Sequence, residues 1–144
     1  MPITQAMTTS FKVGVLRGTF NFDTGTSQVF KMALYTSTAT LDATTTAYSA
    51  TNEVVGTGYT AGGATVTVST VPTSTSTTAF LSFTDASWTT STITARGAVI
   101  YLSNGGTNPS IAVLDFGTDK TSTGATFTVQ MPTANSTTAI IRIA

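Results

Sequence analysis

The chain has 144 residues with six cationic and six acidic side chains, no histidine and no cysteine. Zero net charge leaves no Lys/Arg field for non-specific nucleic-acid binding or for an anionic membrane surface. The missing Cys and His remove disulfides, thiolate chemistry, Cys/His zinc sites and His-based triads.

Forty per cent of the residues are apolar, enough for one packed core, and the length suits one domain. Only 8% are charged, whereas an ordinary domain has about 25%. A surface this poor in charge suits a chain that works packed against others. No apolar run is long enough to span a bilayer, and the N-terminus lacks the apolar stretch of a signal peptide. Threonine (36) and serine (14) make up about a third of the chain. Thr is β-branched and covers the wet face of a sheet without charge. Short T-x-T pieces at Thr36–Thr40 and Thr73–Thr77 share no fixed period, so solubilisation is the expected role rather than a ligand-binding ladder.

In chain order, residues 1–10 read as a polar N-terminal arm. Phe11–Arg17 fits a short strand or a helical turn, since its apolar positions suit both periods. Asp23-Thr24-Gly25-Thr26 marks a turn, and Val29–Tyr35 is the first firm strand. Thr36–Ala50 reads as a contact loop. Gly56, Gly58, Gly62 and Gly63 lack the strand–helix context of a phosphate cradle and indicate bulges and tight turns. Ala64–Ser69 alternates cleanly, ended by Pro72, and Thr73–Thr78 reads as an exposed loop. Further strands are expected at Ala79–Thr84, Thr92–Leu102, Ser110–Phe116, Ala125–Met131 and Thr138–Ile143, with Asn104-Gly105-Gly106 and Pro109 turning a hairpin. This pattern predicts an all-β, single-domain β-sandwich or jelly-roll-like barrel of about eight or nine strands. The domain spans 11–131, and 132–144 forms a C-terminal strand or arm.

The groups available for acid/base work are Asp23, Asp42, Glu53, Asp85, Asp115 and Asp119, and spacing brings no two of them together. No catalytic, cofactor-binding or metal-ligating residue is assigned, and no cofactor is expected. Asp23, Asp42 and Asp85 sit in turn-like contexts, where Asp serves backbone N–H groups. Arg96 and Asp115 lie inside apolar strands flanking the hairpin turn. They are expected to form a partly buried structural ion pair whose rupture costs several kcal/mol. Trp88, the single tryptophan, is the expected core anchor. The competing possibility is an exposed ring that stacks on sugars.

Three segments carry a resemblance: Glu53 to Gly63 (EVVGTGYTAGG), Trp88 through Thr92–Tyr101 (TITARGAVIY), and Leu114 to Gly124 (LDFGTDKTSTG), with Met32–Ser37 (MALYTS) before them. In this order they resemble a family of small β-rich virion structural proteins of tailed bacteriophages, of the capsid cement or decoration type. The likeness spans roughly residues 10–131. It departs at the C-terminus, where Phe127-Thr128-Val129 leads to Gln130-Met131-Pro132 instead of a Trp. The resemblance implies a non-enzymatic assembly component of the virion, on the outer capsid surface. Its expected partners are the major capsid protein and further copies of itself as a homotrimer, with no nucleic acid and no membrane. A tail, baseplate or head-fibre module binding host-surface glycan is the alternative. An enzyme would require a cleft with two facing carboxylates.

Overall fold

The computed structural model describes residues 2–144. Among them are eight strands and one helix: β1 (Ala6–Met7), α1 (Thr9–Arg17), β2 (Val29–Tyr35), β3 (Ala64–Val66), β4 (Val68–Thr75), β5 (Thr78–Phe83), β6 (Ala86–Ser103), β7 (Ser110–Val129) and β8 (Ile141–Ile143). They form two antiparallel sheets, one ordered β1-β7-β6-β2-β3 and one ordered β4-β5-β8. The fold is an all-β sandwich. The hydrogen-bonded order of each sheet is open.

The five-stranded sheet is covered on both faces. Phe30, Met32 and Leu34 of β2, with Ala98, Ile100 and Leu102 of β6, pack on one side against Leu81 and Phe83 of β5 and Ile141 of β8. Ala33, Tyr35, Val99, Tyr101 and Val113 project to the other side, under Ile3, Ala39 and Leu41. Burial of both faces explains why Gly97–Leu102 and Ile111–Leu114 read as unbroken apolar runs rather than as alternation. Phenylalanines extend the first core from helix to sheet: Phe11–Phe20 and Phe22–Phe30 centroids are 5.1 Å apart, and Phe30–Phe83 5.6 Å.

Phe11–Arg17 is helical because both ends are capped. The Thr8 hydroxyl accepts from the Phe11 N–H, and Gly18 closes the last turn in the left-handed conformation at φ 73°. Gly14 fits beneath the Phe20 ring, where a Cβ would collide.

Several sequence expectations change, Ala64–Ser69 among them: the chain passes there from β3 to β4 and so from one sheet to the other. Of the arm expected at residues 1–10, Met1 lies outside the described residues, and residues 2–10 are no arm: Ala6–Met7 pairs with Val113–Ala112, Ile3 is buried, and Thr8 is fully buried with its hydroxyl turned to the Ser110 and Ile111 carbonyls. Their polar composition hid side chains that are satisfied inside the fold. Pro72 does not end a strand, because β4 continues to Thr75. It lies at a register shift between Thr70 and Thr73 of a strand on the sheet's edge, where a missing N–H is tolerated. Thr73–Thr75 is therefore strand, and the reversal falls at Ser76–Thr77. The two strands expected at 110–116 and 125–131 are one strand of 20 residues. Gly117 (φ 79°) and Gly124 (φ 57°) mark irregularities within it rather than chain reversals.

The tail after Pro132 returns to its own molecule. Ile141–Ile143 pairs with Leu81–Ala79, and Ala139 and Ile141 are buried.

Candidate functional site

Trp88 is 6% exposed. Its ring lies 5.8 Å from Tyr59 and 6.1 Å from Phe127 in an edge-on arrangement, as a core indole packs.

Arg96 stands at a break in the β6–β7 ladder. Gly97 pairs with Asp115 and Ala95 with Lys120, so Arg96 alone faces the four residues Phe116–Asp119. Gly117 takes positive φ in this bulge, and its N–H donates to Asp115 Oδ1 at 2.8 Å. Arg96 reaches both ends of the bulge, with Nε 3.8 Å from Asp115 Oδ1 and Nη1 3.6 Å from Asp119 Oδ1. These side chains are a third to a half exposed. Solvent screening leaves each pair worth about 0–1 kcal/mol, well below the several kcal/mol expected of a buried pair. Asp115 serves first as the acceptor that shapes the bulge.

The acidic turn residues divide. Asp42 Oδ1 accepts from the Thr44 N–H (2.7 Å) and hydroxyl (2.6 Å), which hold its carboxyl below the ordinary range. Asp85 Oδ1 accepts from the Met131 N–H at 2.7 Å and so anchors the start of the tail. At Asp23 the backbone N–H donates to Asn21 Oδ1.

A second polar centre was not singled out from the sequence. Glu53 is 7% exposed, and its neighbours are the chain's four tyrosines. Oε1 accepts from the Tyr59 hydroxyl at 2.6 Å and the Gly62 N–H at 2.7 Å, while Oε2 accepts from the Tyr48 hydroxyl at 2.7 Å. Around this centre the Tyr59 hydroxyl accepts from the Leu34 N–H (2.9 Å). Tyr101 donates to the Gly62 carbonyl (2.7 Å), and Tyr35 donates to the Ser49 carbonyl (2.7 Å). Tyr48 and Tyr101 stack at 4.7 Å.

Both ion pairs among the described residues belong to Arg96, so Glu53 is held by neutral donors alone. Burial raises the phenol pKa of Tyr35, Tyr48 and Tyr59, and the Glu53 charge adds to the effect. Tyr101 is pushed up to about 12 by the same two causes.

Gly62 (φ 95°) and Gly63 (φ 80°) make this closure possible. A Cβ on Gly63 would strike the Met32 carbonyl. The centre thus stitches the segment from Thr36 to Gly63 onto the end of β2. It links the two cores, because Tyr48 and Tyr101 belong to one and Tyr59 packs against the other. A signal for it was present in the sequence: Met32–Ala95 contains no Lys or Arg. A buried Glu53 in that stretch needs neutral partners, and Tyr48 and Tyr59 lie five and six residues away.

The surface offers a different material. On the half of the hairpin beyond the bulge, Ser87 meets Thr128 at 3.1 Å and Thr94 meets Thr121 at 3.0 Å, hydroxyl to hydroxyl across the strands. Beneath them Ser91 and Ser122 pair in the interior at 2.7 Å. Three of the exposed large apolar side chains lie on α1, where Val13, Val15 and Leu16 are 42%, 38% and 88% exposed; the others, Val29, Val55, Val71 and Ile143, are scattered over the rest of the surface. No group of three or more acidic side chains that could hold a metal ion occurs among the described residues. No described helix is long and apolar enough to cross a membrane. Comparison of the chain with protein-family models, curated proteins and solved structures gives no match.

Proposed function

We propose that the protein is a non-enzymatic structural component of a phage virion, a capsid cement or decoration protein bridging neighbouring major capsid subunits as a homotrimer on the outer shell. The observation that carries this reading is the apolar surface of α1. Three aliphatic side chains stand in solvent on a protein with only twelve charged residues. Burying each against a partner contributes about 1.5–3 kcal/mol at most, and the exposed Lys12 and Arg17 on the same helix keep their charged heads at the rim of such a contact. Repetition around a shell then multiplies a modest contact into avidity. The resemblance of the Glu53–Gly63, Trp88–Tyr101 and Leu114–Gly124 segments to small virion proteins agrees with this.

The alternative, a tail or fibre module that grips glycan, needs an aromatic platform open to solvent. Trp88 is in the core and the four tyrosines are engaged around Glu53, so the geometry favours the cement reading. Electron cryomicroscopy of the particle that carries this chain tests the choice. Density repeated over capsid-subunit junctions, with α1 at the contact, is the expected result. Density restricted to the tail or to fibres overturns the reading.

A further inference from the structure

The two sheets each end in a very short strand, and both ends open into the same cleft. β1 is the outer strand of the five-stranded sheet and β8 that of the three-stranded sheet. Gln5–Met7 and Ala112–Leu114 form one wall of a cavity of about 630 Å³, and Thr137–Ile140 with Arg142 and Ala144 forms the other. β1 bonds to β7 on one side and β8 to β5 on one side. Neither makes a further backbone bond on its outer side among the described residues, although Thr4 and Thr9, on either side of β1, donate to the Leu41 and Ala43 carbonyls and so confine its free edge to Gln5–Met7.

We infer that this cleft is a strand-acceptor slot: it takes an extended segment of a partner polypeptide, which adds to the open edges of β1 and β8 and bridges the two sheets. Three observations choose this occupant. Open edges present backbone N–H and C=O groups, which another peptide backbone satisfies in register and a lipid or sugar does not. The half-buried Met7 and Ile140, both packed against the core, offer apolar contacts to alternate side chains of such a strand. Arg142 is the one charged side chain among the lining residues. Among the described residues it has no carboxylate partner, and its guanidinium donates only a long 3.4 Å bond to the Ser136 carbonyl. The segment therefore alternates apolar and small polar residues and carries a carboxylate that meets Arg142. The slot is a property of the folded chain and does not depend on the location of the protein in a particle.

The test uses the full chain, isotope-labelled for amide NMR, and a capped peptide of sequence Val-Thr-Val-Asp-Val-Thr-Val as probe. Saturable shifts and slowed amide exchange at Gln5–Thr8 and Ile140–Ala144 are expected. Replacing the peptide Asp by Lys lowers affinity at least tenfold, and the protein variant Arg142→Glu reverses that preference. Arg142→Gln, with unchanged circular dichroism, separates loss of charge from loss of fold and binds both peptides with similar affinity. A peptide N-methylated at alternate residues cannot pair and is expected not to bind. Absence of binding at millimolar peptide, shifts centred elsewhere, or equal binding of the N-methylated peptide would each overturn the slot.

Discussion

Glu53 and Arg96 show opposite ways of placing charge in a protein that has little of it. Glu53 is almost fully buried and has no cation among the described residues, only two phenol hydroxyls and a backbone N–H. Arg96 has two carboxylates, and all three side chains are a third or more exposed. The group without a counter-charge therefore matters more. In a dry site each donor left without its acceptor costs about 1–3 kcal/mol, whereas water replaces the partners of Arg96 almost without loss.

Breaking this contrast begins at Glu53. Glu53→Ala strands three donors and is expected to lower unfolding free energy by about 3–5 kcal/mol, read as a shift of the urea midpoint at constant slope. A loss under 1 kcal/mol would mean that water reaches the site and that the burial argument fails. Tyr59→Phe comes next, at about 2 kcal/mol, because its hydroxyl both donates to Glu53 and accepts from Leu34. Tyr48→Phe removes a single bond from a half-exposed ring and costs about 1 kcal/mol. Should Tyr48 prove the costlier of the two, the ranking by bonds lost would be wrong. Asp115→Ala and Asp119→Ala close the series, each changing the pairing energy with Arg96 by about 0–1 kcal/mol. Asp115→Ala additionally frees the Gly117 N–H, and so is expected to exceed Asp119→Ala.

Alkaline pH sharpens the same comparison. The phenols of the Glu53 centre bind their protons more tightly when folded than when unfolded, so their contribution is complete below the ordinary value of 10.0. It is lost as pH rises past 10.0 toward the Tyr101 value of about 12. Ultraviolet titration of the phenolate band should show the four tyrosines ionising late and together with unfolding. Four independent titrations near 10.0, with the fold intact, would contradict the buried arrangement.

Much of the fold was legible along the chain. Val29–Tyr35 emerged with the expected bounds, and Asn104-Gly105-Gly106 turns the hairpin joining β6 and β7. Local signals misled where one residue type serves two geometries. Glycine marks a bulge as readily as a turn, so Gly117 and Gly124 divided on paper a strand that the ladder with β6 keeps whole. Pro72 likewise is compatible with an edge strand, and edge position is a property of the sheet. Thr8 and Glu53 look like surface residues by type; burial at both depends on partners that arrive from distant parts of the chain.

An all-β domain follows from local patterns alone, because β-branched Thr and Val, turn residues at short intervals and two-sided apolar runs all act over a few residues. Long-range contacts decided that the N-terminal residues pair with β7, that the strand expected at Thr138–Ile143 pairs with β5 of its own chain, that four tyrosines gather around Glu53, and that β1 and β8 line one cleft. Each of these depends on contacts between chain segments far apart in sequence, whose register and spacing no local pattern encodes.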